Sequence, residues 1–133
     1  MKTTRVLVVE DHPDVRNVIR ALLAAEEGYV VVAEAANGEE GIRAADQQQP
    51  DVVLLDLAMP VMDGLAALPG IQEMAPDAKI IVLSGFGTDR TVHAAMHAGA
   101  TAFVHKDADL ATNLVRVVEK VVSGDPGGER PAG

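Results

Sequence analysis

The chain has no cysteine, no tryptophan and only three aromatic residues, Tyr29, Phe86 and Phe103. Without thiols there is no disulfide framework, no thiolate nucleophile and no sulfur-ligated metal. Positive charge is scarce as well, with 11 Lys and Arg against 20 Asp and Glu and a formal net charge of -9. Phosphate backbones need clustered Lys and Arg, so no direct nucleic-acid binding is expected of this chain. A divalent cation, by contrast, would be attracted. No apolar run approaches the roughly 18 residues of a membrane span, and the N-terminus lacks an apolar signal segment. The chain therefore reads as soluble and cytoplasmic, with no membrane partner. Its 133 residues suit one domain, long enough to bury about two thirds of its unfolded surface.

What is present is a set of short apolar runs that end on reactive side chains. Val6 to Val9 ends on Glu10 and Asp11, Val52 to Leu55 on Asp56, Ile80 to Leu83 on Ser84, and Ala102 to Val104 falls just before Lys106. Continuous β-branched runs of this length read as strands buried on both faces, as in parallel sheets. Between them the apolar spacing turns helical. His12-Pro13 opens a helix through Val15, Val18, Ile19, Leu22 and Leu23 that closes before Gly28. Tyr29 to Glu34 is a strand, and Asn37 to Glu40 opens a helix that stops before Pro50. A third helix begins near Asp63-Gly64, a strand covers Lys79 to Leu83, and a fourth helix runs from about Thr88 to Ala98. A strand at Thr101 to Val104 and a helix from Asp107 to Val122 complete five βα units in one sheet. Pro69-Gly70 falls where the third helix should continue, which predicts a kink or an early stop. Residues 1–122 form the domain, and Ser123 to Gly133, rich in Gly and Pro, read as a flexible tail or truncated linker.

In an open parallel α/β sheet the binding crevice lies at the carboxyl ends of the strands. Glu10, Asp11, Asp56, Ser84 and Lys106 would therefore converge on one mouth, provided the first strand turns into loop at once, since a strand alone would point Glu10 and Asp11 to opposite faces. Three carboxylates repel one another unless a cation joins them, and hard oxygen ligands select Mg2+, with Mn2+ as a substitute. Asp56 is the candidate nucleophile, because a carboxylate can accept a phosphoryl group as an aspartyl phosphate. Lys106 supplies an ammonium for the phosphoryl oxygens and Ser84 a hydroxyl. His105 sits beside Lys106, and strand alternation predicts that it points away from the phosphate.

The segments Val8 to Pro13, Asp56 to Gly64 (Asp-Leu-Ala-Met-Pro-Val-Met-Asp-Gly), Leu83 to Gly85 and Phe103 to Asp107 closely resemble the receiver domain of two-component response regulators. The likeness covers residues 5 to about 122 and is nearest to receivers that precede helix-turn-helix (NarL/LuxR-type) output domains. It implies a doubly wound, flavodoxin-like (CheY-like) parallel sheet of order 2-1-3-4-5 with five helices. It further implies that Asp56 takes a phosphoryl group from the phosphohistidine of a sensor histidine kinase or phosphotransfer protein. By similarity, Glu10, Asp11, Asp56 and the backbone carbonyl of Ala58 hold Mg2+, and Ser84 and Lys106 bind phosphoryl oxygens. Ser84 and Phe103 form the switch that moves the face made by the fourth helix, fifth strand and fifth helix. The chain is then a signalling switch with self-directed phosphoryl transfer, not an enzyme, and a homodimer through that face is allowed.

Glu10 departs from the family pattern by standing where Asp is commoner, which lengthens one arm of the metal site. Ala58 and Phe86, two residues after Asp56 and Ser84 at positions where family members vary, are apolar, cannot orient a water, and predict slow self-dephosphorylation. The chain reads either as a stand-alone receiver or as the front half of a DNA-binding regulator. A Mg2+-dependent aspartyl-phosphate phosphohydrolase would want an acid where Ala58 stands. A flavin-binding domain would want a neutral phosphate loop where Glu10 to Pro13 stands.

Overall fold

A computed structural model describes residues 2–85 and 89–124, with Asp89 described by its backbone alone. Ten elements alternate without exception: β1 (Thr4–Val9), α1 (Pro13–Ala24), β2 (Tyr29–Ala35), α2 (Gly38–Gln48), β3 (Val52–Asp56), α3 (Gly64–Met74), β4 (Lys79–Ser84), α4 (Asp89–His97), β5 (Ala102–His105) and α5 (Leu110–Ser123). The strands form one five-stranded sheet of order β2-β1-β3-β4-β5, with parallel pairing at all four seams. Phe86, the expected start of the fourth helix at Thr88 and the tail from residue 125 onward lie outside the described residues.

Continuous apolar strands are possible because the sheet is covered on both sides, and alternation divides each strand between the two covers. Leu7, Val9, Val53, Leu55, Ile80 and Val82 pack with Ala45 of α2, Ala67, Leu68 and Ile71 of α3, and Val92 and Ala95 of α4. Val6, Val8, Val52, Leu54, Ile81, Leu83 and Val104 pack with Ile19 and Leu23 of α1 and Leu114, Val117 and Val118 of α5. On α4, Val92 and Ala95 are thus core, whereas Val122 on α5 is exposed.

Local chemistry fixes the helix ends. Pro13 occupies the first turn of α1, where its missing N–H costs nothing. Asn37 caps α2 by accepting from the Glu40 N–H at 3.0 Å, and Asp63 caps α3 by accepting from Ala66 N–H at 2.8 Å. α2 ends on Gln49 in the left-handed region at φ 47, and Pro50 follows.

The early stop expected at Pro69-Gly70 does not occur: α3 runs through Pro69 to Met74. Two compensations explain this. Pro69 sacrifices one interior hydrogen bond, but Leu68 and Ile71 on either side are fully buried, so packing outweighs propensity. Gly70 suits the close approach of the neighbouring helix, since a Cβ there would stand 2.7 Å from Ile42 Cδ1 of α2 and displace that side-chain tip. The dipeptide that reads as a helix breaker is the contact that lets α2 and α3 lie close.

Candidate functional site

The order 2-1-3-4-5 reverses direction between β1 and β3, so the ends of these two strands open the crevice typical of a topological switch point. Glu10 and Asp11 leave β1 there, and Asp56 is the last residue of β3. Glu10 still donates its N–H to Ala35 O at 2.9 Å, but its side chain folds back to accept the His12 N–H at 3.0 Å. That turn satisfies the condition for both carboxylates to serve one mouth. Among the described residues, ligand atoms of Glu10, Asp11 and His12 lie within 4.8 Å of one another.

Lys106, just past β5, joins this cluster to Asp56. Its Nζ donates to Glu10 Oε1 at 2.9 Å and lies 3.1 Å from Asp56 Oδ2. Ala58 donates its N–H to the other oxygen, Asp56 Oδ1, at 3.1 Å. The Lys106 contact to Asp56 is an ion pair without hydrogen-bond alignment, so Asp56 Oδ2 remains a buried acceptor with no directed donor among the described residues; Asp11 Oδ1 likewise has no aligned donor, with His12 Nδ1 3.1 Å away. Two such oxygens beside a third carboxylate fit a hard divalent cation, with the His12 imidazole as an additional nitrogen at the rim.

Burial sets the electrostatics, because Glu10 and Asp56 are both 0% exposed. For Asp56, desolvation first and the Glu10 charge second push the pKa up to about 7, against the lowering effects of the Ala58 N–H and Lys106. For Glu10 the desolvation is the largest single influence and also raises, but the Lys106 hydrogen bond, the His12 N–H and the Lys106 charge together outweigh it and hold the carboxyl near about 2. Lys106 is itself raised: burial opposes its charge, and bonds to Glu10 and the charge of Asp56 overcome that. One ammonium thus serves two carboxylates, and Glu10 takes the larger share.

Ser84 and Phe103 stand on the other face of the sheet ends. Ser84 pairs with His105 in the β4–β5 register, and neighbours in register share a face. Ser84 Oγ lies 2.7 Å from His105 Nδ1, and the His105 ring meets Phe103 edge to face at a centroid distance of 5.3 Å. As expected, His105 turns away from Asp56 and Lys106, since Asp56, Leu83 and Val104 share the opposite face. Alternation does separate it from Lys106, but it places it on the side to which Ser84 points. Phe103 packs half-buried against the core formed with α2, α3 and α4.

The loop from Asp56 to α3 is tightly packed. Val61 adopts φ 68, uncommon for a β-branched residue, while Met62 O accepts the Gly38 N–H of α2 at 2.8 Å. At Gly64 a Cβ would collide with the Asp56 carbonyl oxygen and crowd the Leu57 backbone. Gly64→Ala is therefore expected to cost about 2 kcal/mol, read as a lower urea midpoint. An unchanged midpoint would mean that the loop yields freely and does not fix Asp56.

Arg16 escaped the sequence reading. Its Nη1 donates to Glu10 O at 2.7 Å and Asp11 O at 3.2 Å. The available signal was an arginine in the first turn of a helix, against the helix dipole, which asks for some other partner.

The model of the response regulator receiver domain matches residues 6–119. Transcriptional regulatory protein LiaR of Bacillus subtilis is 38% identical over 122 residues, covering 92% of this chain and 57% of LiaR. Nitrate/nitrite response regulator protein NarL of Escherichia coli is 33% identical over 120 residues, covering 90% of this chain and 55% of NarL. A two-component response regulator of the LuxR family from Aurantimonas superposes with a TM-score of 0.85 at 34% identity, covering 92% of this chain and 87% of that one.

Fold and sheet-end site define a CheY-like receiver. The chain belongs to the response regulator receiver domain family of two-component systems, with relatives of the NarL/LuxR type. It spans about half the length of the curated relatives it matches. No helix among the described residues is long and apolar enough to cross a membrane.

Proposed function

We propose that this chain is a phosphorylation-controlled switch, acting in the cytoplasm, in which Asp56 accepts a phosphoryl group from the phosphohistidine of a sensor kinase or phosphotransfer protein. The observation that carries this reading is the setting of the Asp56 carboxylate: fully buried, held at Oδ1 by the Ala58 N–H and faced at Oδ2 by the Lys106 ammonium. A carboxylate oxygen attacks phosphorus, the new P–O bond forms as the P–N bond breaks, and the electron pair of that bond stays on the leaving imidazole. A Mg2+ or Mn2+ ion held by Glu10, Asp11, Asp56 and the Ala58 carbonyl would neutralise charge on the phosphoryl oxygens. Lys106 exchanges its carboxylate contacts for a phosphoryl oxygen. Ser84, whose Oγ lies 2.7 Å from His105 Nδ1, donates its hydroxyl to another.

Phosphorylation adds about -1.5 to -2 of charge and three strong acceptors where one carboxylate stood. Bonds made by Lys106 and Ser84 in that state alone supply the differential energy a two-state protein needs. Because Ser84, His105 and Phe103 touch in sequence across β4 and β5, movement of the hydroxyl is felt by the face formed by α4, β5 and α5. The chain is a switch and not an enzyme. The names of LiaR and YdfI, both transcriptional regulatory proteins of Bacillus subtilis, favour its use as the regulatory half of a transcription regulator over a stand-alone role.

Incubation with Mg2+ and acetyl phosphate, followed by intact mass measurement, tests this. The parent is expected to gain one phosphoryl mass and Asp56→Asn none. No gain by the parent in the presence of bound metal, or an equal gain by the variant, would overturn the assignment.

A further inference from the structure

Glu10 and Asp11 reach one mouth only because the chain turns sharply after β1, and the turn lacks the usual backbone donors. Pro13 has no N–H to offer, and strand pairing between β1 and its neighbours ends at Val9. The carbonyl oxygens of Glu10 and Asp11 both take Nη1 of Arg16, at 2.7 and 3.2 Å. Arg16 is in turn oriented from β2: its Nε lies 3.4 Å from Glu34 Oε1. Glu34 is itself gripped by Arg20, which donates Nε to Oε2 and Nη2 to Oε1 at 2.9 Å each. The Arg20 bonds first, then burial, then the charges of Arg20 and Arg16 set the Glu34 carboxyl, with net lowering, so it stays ionised as their anchor.

We propose that Arg16 is a positioning residue for the cation site, tying two successive carbonyls so that the Glu10 and Asp11 carboxylates are presented together. The inference rests on the reading that Glu10, Asp11 and Asp56 hold a divalent cation. Its direction separates it from plain electrostatics. A guanidinium near the site repels a cation, so removal of its charge alone would tighten metal binding. Loss of a positioning contact loosens it, as seen when groups supporting metal ligands are removed.

Mn2+ titration of the full chain by calorimetry, beside a thermal melt, distinguishes the two. The variants are Arg16→Gln, Arg16→Lys and Asp11→Asn. Arg16→Gln is expected to raise the Mn2+ Kd about tenfold. Arg16→Lys, which keeps the charge but not the planar fork, should also weaken binding, and it carries the test if Arg16→Gln fails to fold. Unchanged or tighter binding by a folded Arg16→Gln, while Asp11→Asn loses the metal, would overturn the positioning role and leave the cation site standing. A parent that binds no Mn2+ would overturn both.

Discussion

Asp56→Asn stabilises the metal-free protein at pH 8, by roughly 2–4 kcal/mol, and the gain disappears on acidification. The Asp56 pKa of about 7 in the folded state stands above its ordinary 3.8, a difference of about three pH units at about 1.4 kcal/mol each. A carboxyl whose folded pKa is raised binds its proton more tightly in the native state. Its protonated form is therefore fully compatible with folding below about pH 4, and stability is lost as pH rises from there through 7. Asparagine, which never ionises, escapes that loss. Glu10 acts oppositely: held near about 2 against an ordinary 4.5, it contributes stability above pH 4.5 that is lost as pH falls toward 2. The two windows overlap only between about 3.8 and 4.5, so these two groups together make the parent in EDTA most stable near pH 4. Urea unfolding at pH 3, pH 4 and pH 8 measures both effects. An asparagine variant no more stable than the parent at pH 8 would show that Lys106 and the Ala58 N–H fully offset the burial of the charge.

The same accounting explains why this site was so legible. Three buried or half-buried acids at adjoining strand ends are costly for a fold, and a sequence that retains Glu10, Asp11 and Asp56 together does so for a reason other than stability. Position along each strand was readable because continuous apolar runs have sharp ends, and the first polar residue past each end marks the mouth. The strands and helices were likewise readable to within a few residues, α5 starting at Leu110 instead of Asp107. Features created by packing between elements far apart in sequence were not readable. Nothing near Gly70 announces Ile42, nothing near Arg16 announces Glu34, and the Ser84 to His105 contact depends on a register between β4 and β5 that neither segment carries alone. Local propensity misread Pro69 for the same reason, since its helix is held by residues of α2 and the sheet.

Lys106→Met should cost about 3 kcal/mol at pH 8, because it strands two buried carboxylates that now share one ammonium. Glu10 loses its 2.9 Å donor and Asp56 the cation 3.1 Å away, and methionine fills the stem's volume without replacing either. The cost should fall at pH 5, where Asp56 already carries its proton and only Glu10 remains charged. It should fall too in the Asp56→Asn background at pH 8, giving a coupling of about 1–2 kcal/mol in a double-mutant cycle. Strict additivity would mean that Lys106 serves Glu10 alone, leaving the Asp56 pair as proximity without energy. The expected coupling instead makes the ammonium a charge divided between an anchor, Glu10, and an acceptor, Asp56. A group so divided can exchange its carboxylate contacts for a new anion on Asp56, which is the property a phosphorylation switch requires of its lysine.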